Sequence, residues 1–225
     1  MNTTTTTLSY YNTHAEDFVS ATASVDFSAL QEAFLSHLPK QATVLDVGCG
    51  SGRDSKAFLA HGCNVTAIDG SEALCALASA AIGQPVLCTT FQAYRPDQRF
   101  DGIWACASLL HLEWDDLIDV MTTLAEALVP GGCFYASFKY GSTSETRNDR
   151  FFTDMTESRF EALLAHLPAL EPARCFITPD ARPGRENERW LNVFLIKRYK
   201  NPPPVENIHG MGVFFTFLPA LALSG

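Results

Sequence analysis

The chain has 225 residues, of which 47% are hydrophobic and 18% charged, and its formal net charge is −9. This length and composition suit one globular domain with a continuous core. The negative charge argues against a nucleic-acid partner, because affinity for phosphates comes largely from clustered lysine and arginine. The seven cysteines include no Cys-x-x-Cys pair, so we expect neither a metal site nor a disulfide framework, but reduced thiols in the cytoplasm.

The N-terminal part of the chain predicts helix. Residues 1–7 form a polar threonine run without the basic and apolar segments of a signal peptide, and we expect them to be frayed. Apolar residues between positions 30 and 38 recur at helical spacing. We therefore expect residues 1–40 to form a separate helical segment ahead of the main domain.

Strands and helices alternate in the next part of the chain. Strands are predicted at residues 43–47, 64–68, 86–88, 102–107, 133–138, 174–178 and 192–197, and helices at 54–61, 72–81, 116–128 and 157–167. This alternation predicts an α/β fold, a Rossmann-like doubly wound and mostly parallel sheet with helices on both faces. The polar run 142–150 predicts a loop that could cover a site.

The segment after the first predicted strand reads Asp46-Val47-Gly48-Cys49-Gly50-Ser51-Gly52-Arg53. Glycine permits positive φ and lets a ligand approach the backbone closely, which favours a nucleoside site at this strand-to-helix junction. The spacing differs from the dinucleotide pattern Gly-x-Gly-x-x-Gly, because Arg53 stands where the third small residue is needed. The carboxylate of Asp46 would repel a pyrophosphate but could accept hydrogen bonds from an ammonium group.

In this motif the chain resembles the class I S-adenosylmethionine-dependent methyltransferases, over roughly residues 10–198. The resemblance implies seven strands with the last one inserted antiparallel, S-adenosylmethionine as the cofactor, and methyl transfer to a small molecule as the activity. Within that superfamily, residues 50–55 and 138–141 look most like the bacterial tellurite-resistance methyltransferases. Asp54 departs from that branch, whose members tend to carry asparagine there, so chalcogen chemistry does not carry over.

Further cofactor contacts follow from the ends of the other strands. Asp69 ends the second strand, where its two oxygens could bind the ribose hydroxyls; the alternative is a helix cap, a role that Ser71 could fill itself. After the third strand, Phe91 could stack on the adenine and Gln92 could bind its edge, although Phe91 could also be a core residue. The resemblance adds Tyr11, on a first helix that lies over the cofactor. The predicted cofactor contacts are Tyr11, Asp46, Gly48, Gly50, Gly52, Arg53, Asp69, Gly70, Ser71, Phe91, Gln92, Ala105 and Ala107.

The predicted acceptor side follows the fourth and fifth strands. His111 is the candidate catalytic base, since a histidine with an ordinary pKa near 6.5 can accept a proton at neutral pH; the alternative is a packing role. Lys139, Tyr140 and Arg182 are the candidate substrate-binding residues. Together with Arg147 and Arg150, the cations among them could converge on an anionic group of the acceptor. For Arg185 and Arg189, which lie in the same loop as Arg182, the alternative is surface ion pairs with Glu186 and Glu188.

Two other functions remain open from the sequence. A nicotinamide-dependent oxidoreductase would share the strand-helix-strand opening and Asp69. A non-catalytic S-adenosylmethionine-binding protein would keep residues 46–92 without an acceptor pocket. The main domain is expected over residues 41–200, followed by a tail 201–225 whose apolar run 211–223 is too short to span a membrane; we expect no membrane partner.

Overall fold

The computed structural model describes residues 3–199, so the predicted tail lies outside the described residues. The helices are α1 (Thr3–Thr13), α2 (Ala15–Thr22), α3 (Ser28–Leu35), α4 (Arg53–Ala60), α5 (Glu72–Ile82), α6 (Trp114–Ala127) and α7 (Glu157–Leu164). The strands are β1 (Thr43–Val47), β2 (Asn64–Asp69), β3 (Leu87–Cys88), β4 (Phe100–Ala105), β5 (Leu128–Lys139), β6 (Ser144–Arg147), β7 (Arg150–Thr153), β8 (Leu170–Pro179) and β9 (Arg189–Lys197). A short 3₁₀ turn covers Leu109–His111.

Seven of the strands form one sheet in the order β3-β2-β1-β4-β5-β9-β8. The first five of these pair in parallel, and β9 pairs antiparallel with both β5 and β8. The predicted fold class is therefore confirmed, including the antiparallel insertion of the last strand. The strand order reverses between β1 and β4, and ligands of doubly wound sheets bind outside the carboxyl ends of the strands at this point.

Apolar side chains cover both faces of the sheet, which explains why its central strands read as continuous hydrophobic runs. Helix α3 is held on one face by Phe34, whose ring lies 5.4 Å from that of Phe58 and 5.1 Å from that of Trp104. The same ring fills the space beside Gly102, where an added Cβ would lie 2.6 Å from its Cζ. Part of the N-terminal segment is thus integrated into the core.

The prediction that residues 1–7 are frayed is wrong for the described residues 3–7, which belong to α1. Thr7 is only 4% exposed, and its Oγ1 accepts a hydrogen bond from the backbone N–H of Phe151 at 3.0 Å. Thr3 donates to a carboxylate oxygen of Glu113 at 2.8 Å. Threonine has a low helix propensity, so these tertiary hydrogen bonds oppose the fraying that local sequence predicts.

The prediction of a loop over residues 142–150 is also wrong, because much of this run belongs to the hairpin β6–β7. Asn148 and Asp149 form the tip, with φ values of 48° and 60°. Asparagine and aspartate tolerate this left-handed conformation, and a two-residue turn of this kind matches the twist of a hairpin. The polar composition therefore marked a turn between two short strands.

Candidate active site

A cavity of about 620 Å³ lies at the carboxyl ends of the parallel strands. Its wall includes Gly48 after β1, Asp69 at the end of β2 and Lys139 at the end of β5. Tyr11 of α1 and Phe18 of α2 contribute from the N-terminal helices. The cavity is therefore where the sheet topology predicts a ligand, and the first helices form part of its cover.

The glycines of the β1–α4 turn have different surroundings. Gly48 has φ +76°, and a Cβ added there would lie 2.5 Å from the Cβ of Ser108 and 3.0 Å from Cζ of Phe91. Gly50 has φ +55°, and its added Cβ would lie 2.9 Å from the ring of Phe18. Both glycines line the cavity and keep it open to a ligand.

The third glycine, Gly52, does not line the cavity, and its contact with the cofactor stays a prediction. It begins α4 with φ +76°, and a Cβ added there would lie 3.0 Å from Ile82 and 3.3 Å from Ala78, both on α5. The absence of a side chain lets α4 and α5 pack closely. This glycine therefore has a structural role.

Asp46 is also absent from the cavity wall, and its contact with an ammonium group stays a prediction. Its side chain is 2% exposed, and Oδ2 accepts a hydrogen bond from the hydroxyl of Ser55 at 2.6 Å. Burial, and then the negative charge of Asp54, raise the pKa of the Asp46 carboxyl from 3.8 to about 7. The carboxyl group lies behind the glycine turn and joins β1 to α4.

Asp46 should make the stability of the protein depend on pH. The pKa of Asp46 is higher in the folded state than in the unfolded state. Between about pH 4 and pH 7, the carboxyl group is therefore protonated in the native state and ionised in the unfolded state. The contribution of Asp46 to stability therefore decreases as pH rises through this window. Thermal unfolding should show the difference in Tm, wild type minus Asp46→Asn, falling from pH 5 to pH 8. A constant difference would contradict the raised pKa.

Asp69 lies on the cavity wall and is 8% exposed. Its Oδ2 accepts from the backbone N–H of Gly50 at 3.0 Å, and its Oδ1 accepts from that of Ser71 at 2.9 Å. Burial raises the pKa of this carboxyl, and the backbone donors oppose the rise. A carboxylate oxygen can accept two hydrogen bonds, so each oxygen keeps an acceptor site for a ligand hydroxyl.

Ser71 takes the capping role that the sequence left open between it and Asp69. Its hydroxyl oxygen accepts from the backbone N–H of Leu74 at 3.2 Å at the start of α5, and the hydroxyl donates to Oδ1 of Asn12 at 2.7 Å. Ser71 is fully buried and lies outside the cavity wall, and its contact with the cofactor stays a prediction. The neighbouring Gly70 does line the cavity.

Phe91 and Gln92 both line the cavity after β3. The side-chain nitrogen of Gln92 donates to the hydroxyl of Thr4 at 3.1 Å and to a carboxylate oxygen of Asp116 at 2.9 Å. These two bonds fix the amide, and its buried Oε1 has no hydrogen-bond partner within the described residues. An unpaired buried carbonyl oxygen on a cavity wall is suited to accept from a ligand N–H.

Arg53 lies on the wall, but its guanidinium is already engaged. Its Nε and Nη2 each donate to a carboxylate oxygen of Asp54 at 2.8 Å, and the group lies 3.8 Å from the ring centroid of Phe27. Asp54 also accepts from the indole N–H of Trp104 at 2.9 Å. A contact between Arg53 and the cofactor's carboxylate would have to use the remaining N–H donors of the guanidinium.

His111 and Tyr11 form a hydrogen-bonded pair on the wall. Nδ1 of His111 lies 2.6 Å from the backbone oxygen of Phe151, so Nδ1 carries the proton, and Nε2 accepts from the Tyr11 hydroxyl at 2.8 Å. Burial, together with the positive charges of Arg150 and Lys139, lowers the pKa of His111 to about 4. Its lone pair is engaged and weakly basic, which favours the packing alternative over the predicted base.

His111 is therefore expected to stay neutral across physiological pH. Its imidazole should titrate near pH 4 in NMR spectra, with the resonance assigned by comparison with a His111→Gln variant. Tyr11→Phe removes the hydroxyl that donates to the neutral imidazole of His111, and should therefore raise the pH midpoint of the His111 titration. A midpoint between pH 6 and pH 7 in the unaltered protein would contradict the tautomer and restore a general-base role.

Other predicted residues divide between the wall and the rest of the fold. Ala107, Lys139 and Arg182 line the cavity, the last two already paired with Glu188 and Asp180. Two predicted residues lie outside the wall: Ala105 is fully buried within β4, and Tyr140 is 37% exposed and donates to Glu157 at 2.9 Å. Arg147 binds Asp154 and also lies outside the wall.

The family comparison identifies the part of the chain that holds much of this site. Residues 44–132 match the family model described as a methyltransferase domain. Many of the wall residues fall within this stretch, including Gly48, Asp69, Gln92 and His111.

The chain is also similar to a curated protein, the malonyl-[acyl-carrier protein] O-methyltransferase of Enterobacter lignolyticus. The two are 35% identical over 106 residues, which is 45% of this chain and 41% of that enzyme. The chain thus spans less than half the length of the curated relative that it matches.

Solved structures share the fold of this chain. Burkholderia thailandensis 1,6-didemethyltoxoflavin-N1-methyltransferase, bound to S-adenosylhomocysteine, has a TM-score of 0.66 at 23% identity, over 85% of this chain and 87% of that one. The CcbJ methyltransferase of Streptomyces caelestis has a TM-score of 0.66 at 17% identity, over 86% and 99%. The predicted superfamily and cofactor are supported by these comparisons, and the tellurite-resistance branch stays a prediction.

The candidate site contains residues that sequence reasoning missed, among them Ser108. Three buried side-chain polar atoms lack a hydrogen-bond partner within residues 3–199: Oε1 of Gln92, Oγ of Ser108 and Nε of Arg150. All three residues line the one cavity described above. Phe18 was also missed, although its position seven residues after Tyr11 places both rings on one helical face, 5.3 Å apart.

Proposed function

We propose that this chain transfers the methyl group of S-adenosylmethionine to a small-molecule acceptor by in-line displacement. The observation that carries the proposal is the set of unpartnered polar atoms on the wall of one cavity at the topological switch point. Leaving such atoms unpaired is costly, so a ligand that satisfies them is favoured. The matched methyltransferase domain and the bound ligands of the fold relatives agree with this proposal.

The residues present fit the cofactor. Gly48 and Gly50 bring their backbone to the cavity wall, where an added Cβ would displace the neighbouring wall side chains. Asp69 keeps acceptor sites for the ribose hydroxyls, and Oε1 of Gln92 can accept from the adenine amino group. Phe91 offers its ring to the base. When bound, S-adenosylmethionine supplies an electrophilic methyl group that needs no further activation.

The protein then has to hold the acceptor in line and exclude water. Correct alignment can lower a barrier by about 7–11 kcal/mol, whereas a general base contributes about 10²–10⁴-fold. Because the lone pair of His111 already accepts from Tyr11, we assign this pair to positioning. Such a site suits an acceptor atom that is already deprotonated or loses its proton easily.

We also propose that the N-terminal segment, residues 1–40, covers the bound cofactor, ahead of a methyltransferase domain at 41–200. Within the described part, Asn12 of α1 accepts hydrogen bonds from Ser71 and from the backbone N–H of Ala73 at the start of α5. Leu8 lies beside Gly70, where an added Cβ would be 2.6 Å from its Cδ2. Opening of α1 would therefore accompany cofactor exchange.

The proposed partner is a small metabolite and not a nucleic acid, given the net charge of −9. We propose the cytoplasm as the location, because all seven cysteines are free. Within residues 3–199 no helix has the length and apolar character needed to cross a membrane.

The proposal is tested by a transfer assay with methyl-labelled S-adenosylmethionine against thiols, phenols, amines, small acids, tellurite and selenite. We expect label to enter at least one acceptor, with equal accumulation of S-adenosylhomocysteine. If S-adenosylhomocysteine binds tightly but no methyl group is transferred to any of these acceptors, the result would favour the alternative, a non-catalytic S-adenosylmethionine-binding protein. Failure to bind the nucleoside would contradict both.

A further inference from the structure

Arg150 has unused hydrogen-bonding capacity directed at the cavity. It begins β7, immediately after the hairpin tip, and lines the wall. Its Nε is buried and has no hydrogen-bond partner within the described part of the chain. A buried guanidinium nitrogen without an acceptor is costly, and the cost is recovered when an anion binds.

Other cations of the wall differ from Arg150 because they already have carboxylate partners. Arg53 pairs with Asp54, Arg182 with Asp180, and both Lys139 and Arg185 with Glu188. Among the described residues, Arg150 and Arg174 line the cavity without such an ion pair. Arg174 is exposed at the rim and lies over Phe176, which leaves Arg150 as the inner unneutralised charge.

Aromatic rings hold the guanidinium of Arg150 in place. Its central carbon lies 4.3 Å from the ring centroid of Tyr10, 5.3 Å from that of Phe152 and 5.9 Å from that of Tyr11. Ring faces contact the plane of a guanidinium and leave the N–H groups at its edge available. The side chain is thus ordered before a ligand arrives, which reduces the entropy cost of binding.

The position of Arg150 favours the acceptor over the cofactor as the source of the anion. Its aromatic contacts lie on α1 and β7. The backbone oxygen of the next residue, Phe151, accepts a hydrogen bond from Nδ1–H of His111. Arg53, by contrast, lies at the start of α4, directly after the glycine turn that forms the cofactor side. The two arginines therefore serve different parts of the cavity.

We propose that Arg150 is a specificity-determining residue that binds a carboxylate of the methyl acceptor through Nε and an adjacent terminal nitrogen. This inference rests on the proposed function and names the acceptor class, a small organic acid. The N–H groups on Nε and on the adjacent terminal nitrogen are spaced to donate to the two oxygens of a carboxylate. A neutral amide offers one acceptor oxygen and no opposite charge. The neutral His111–Tyr11 pair beside it adds no competing negative charge.

The test is titration calorimetry on the full chain saturated with S-adenosylhomocysteine. The probes are salicylate, anthranilate and nicotinate, each compared with its primary amide. We expect at least one acid to bind about tenfold or more tightly than its amide, the scale of hydrogen bonds to a charged group. Arg150→Gln should reduce this preference to about twofold or less, and Arg150→Lys should restore part of it.

Arg147→Gln is the matched control, because Arg147 lies in the same hairpin but binds Asp154 outside the cavity; it should leave the preference unchanged. Equal binding of acids and amides, binding by none of the acids, or an unchanged preference in Arg150→Gln would overturn the proposal. A tenfold loss of S-adenosylhomocysteine affinity in Arg150→Gln would also overturn it, by assigning Arg150 to the cofactor. If the unaltered protein does not bind S-adenosylhomocysteine, the proposed function itself fails, and that result is distinct from the others.

Discussion

Gly48→Ala is expected to lower both the stability of the protein and its affinity for S-adenosylhomocysteine. The added Cβ would lie 2.5 Å from the Cβ of Ser108, and the residue has φ +76°, where non-glycine residues are strained. The left-handed backbone costs about 1–2 kcal/mol and the overpacking about 1–3 kcal/mol. Relief of the clash would displace Ser108 or Phe91 on the cavity wall. We expect affinity to fall at least about tenfold, as measured by calorimetry.

Gly62→Ala is the matched control for this substitution. Gly62 has φ +83°, and an added Cβ would meet no atom within 4 Å. It therefore carries the backbone strain of Gly48→Ala without the clash, and lies outside the cavity wall. If Gly48→Ala loses no more stability than Gly62→Ala and keeps its affinity for S-adenosylhomocysteine, that result would show that Gly48 does not form a close wall for the ligand.

Asp69→Ala is the second change with a large expected effect. It removes the acceptor for the backbone N–H groups of Gly50 and Ser71 and the proposed acceptor for the ribose hydroxyls. Hydrogen bonds to a charged group contribute about 1.5–3 kcal/mol, so S-adenosylhomocysteine should bind roughly 10- to 100-fold more weakly. Calorimetry gives the affinity, and thermal unfolding gives the separate cost to the glycine turn.

Asp101→Ala provides a control of the same chemistry outside the cavity. Asp101 accepts a hydrogen bond from the backbone N–H of Thr43 at 2.8 Å and does not line the wall. Its loss should lower stability without changing affinity for S-adenosylhomocysteine. Equal affinity of the Asp69→Ala variant and the unaltered protein would remove the ribose assignment.

Much of the sheet could be predicted because its strands have strong local signals. β1 has the predicted bounds, 43–47, since a short apolar run followed by a glycine turn is the signature of a buried parallel strand. The antiparallel position of β9 came from the family resemblance, because periodicity carries no information on strand direction. The hairpin β6–β7 and the first turn of α1 were missed, since their polar residues are held by tertiary hydrogen bonds.

The candidate site could be predicted only in part. The glycine spacing and Asp69 indicated the correct turn, and the structure brings Gly50 and Asp69 into contact. The sequence did not indicate that Gly52 faces a neighbouring helix or that Asp46 points toward Ser55, because both depend on how α4 packs. The sequence offered an ion pair of Arg185 with Glu186 or Glu188 as an alternative, and the structure pairs Arg185 with Glu188.

Arg150 illustrates this limit. Its sequence neighbourhood resembles that of Arg147, three residues earlier. Their difference arises because Asp154 reaches Arg147, whereas Arg150 projects toward Tyr10 and the cavity. Which cation keeps a free hydrogen-bonding edge is therefore a property of the folded hairpin.

The most direct test of the central claim, that this cavity holds the nucleoside of S-adenosylmethionine, is a crystal structure of the protein grown with S-adenosylhomocysteine. We expect the ribose hydroxyls to bind Asp69 and the adenine amino group to donate to Oε1 of Gln92. A ligand bound away from Asp69, or a cavity that stays empty at saturating concentration, would contradict it.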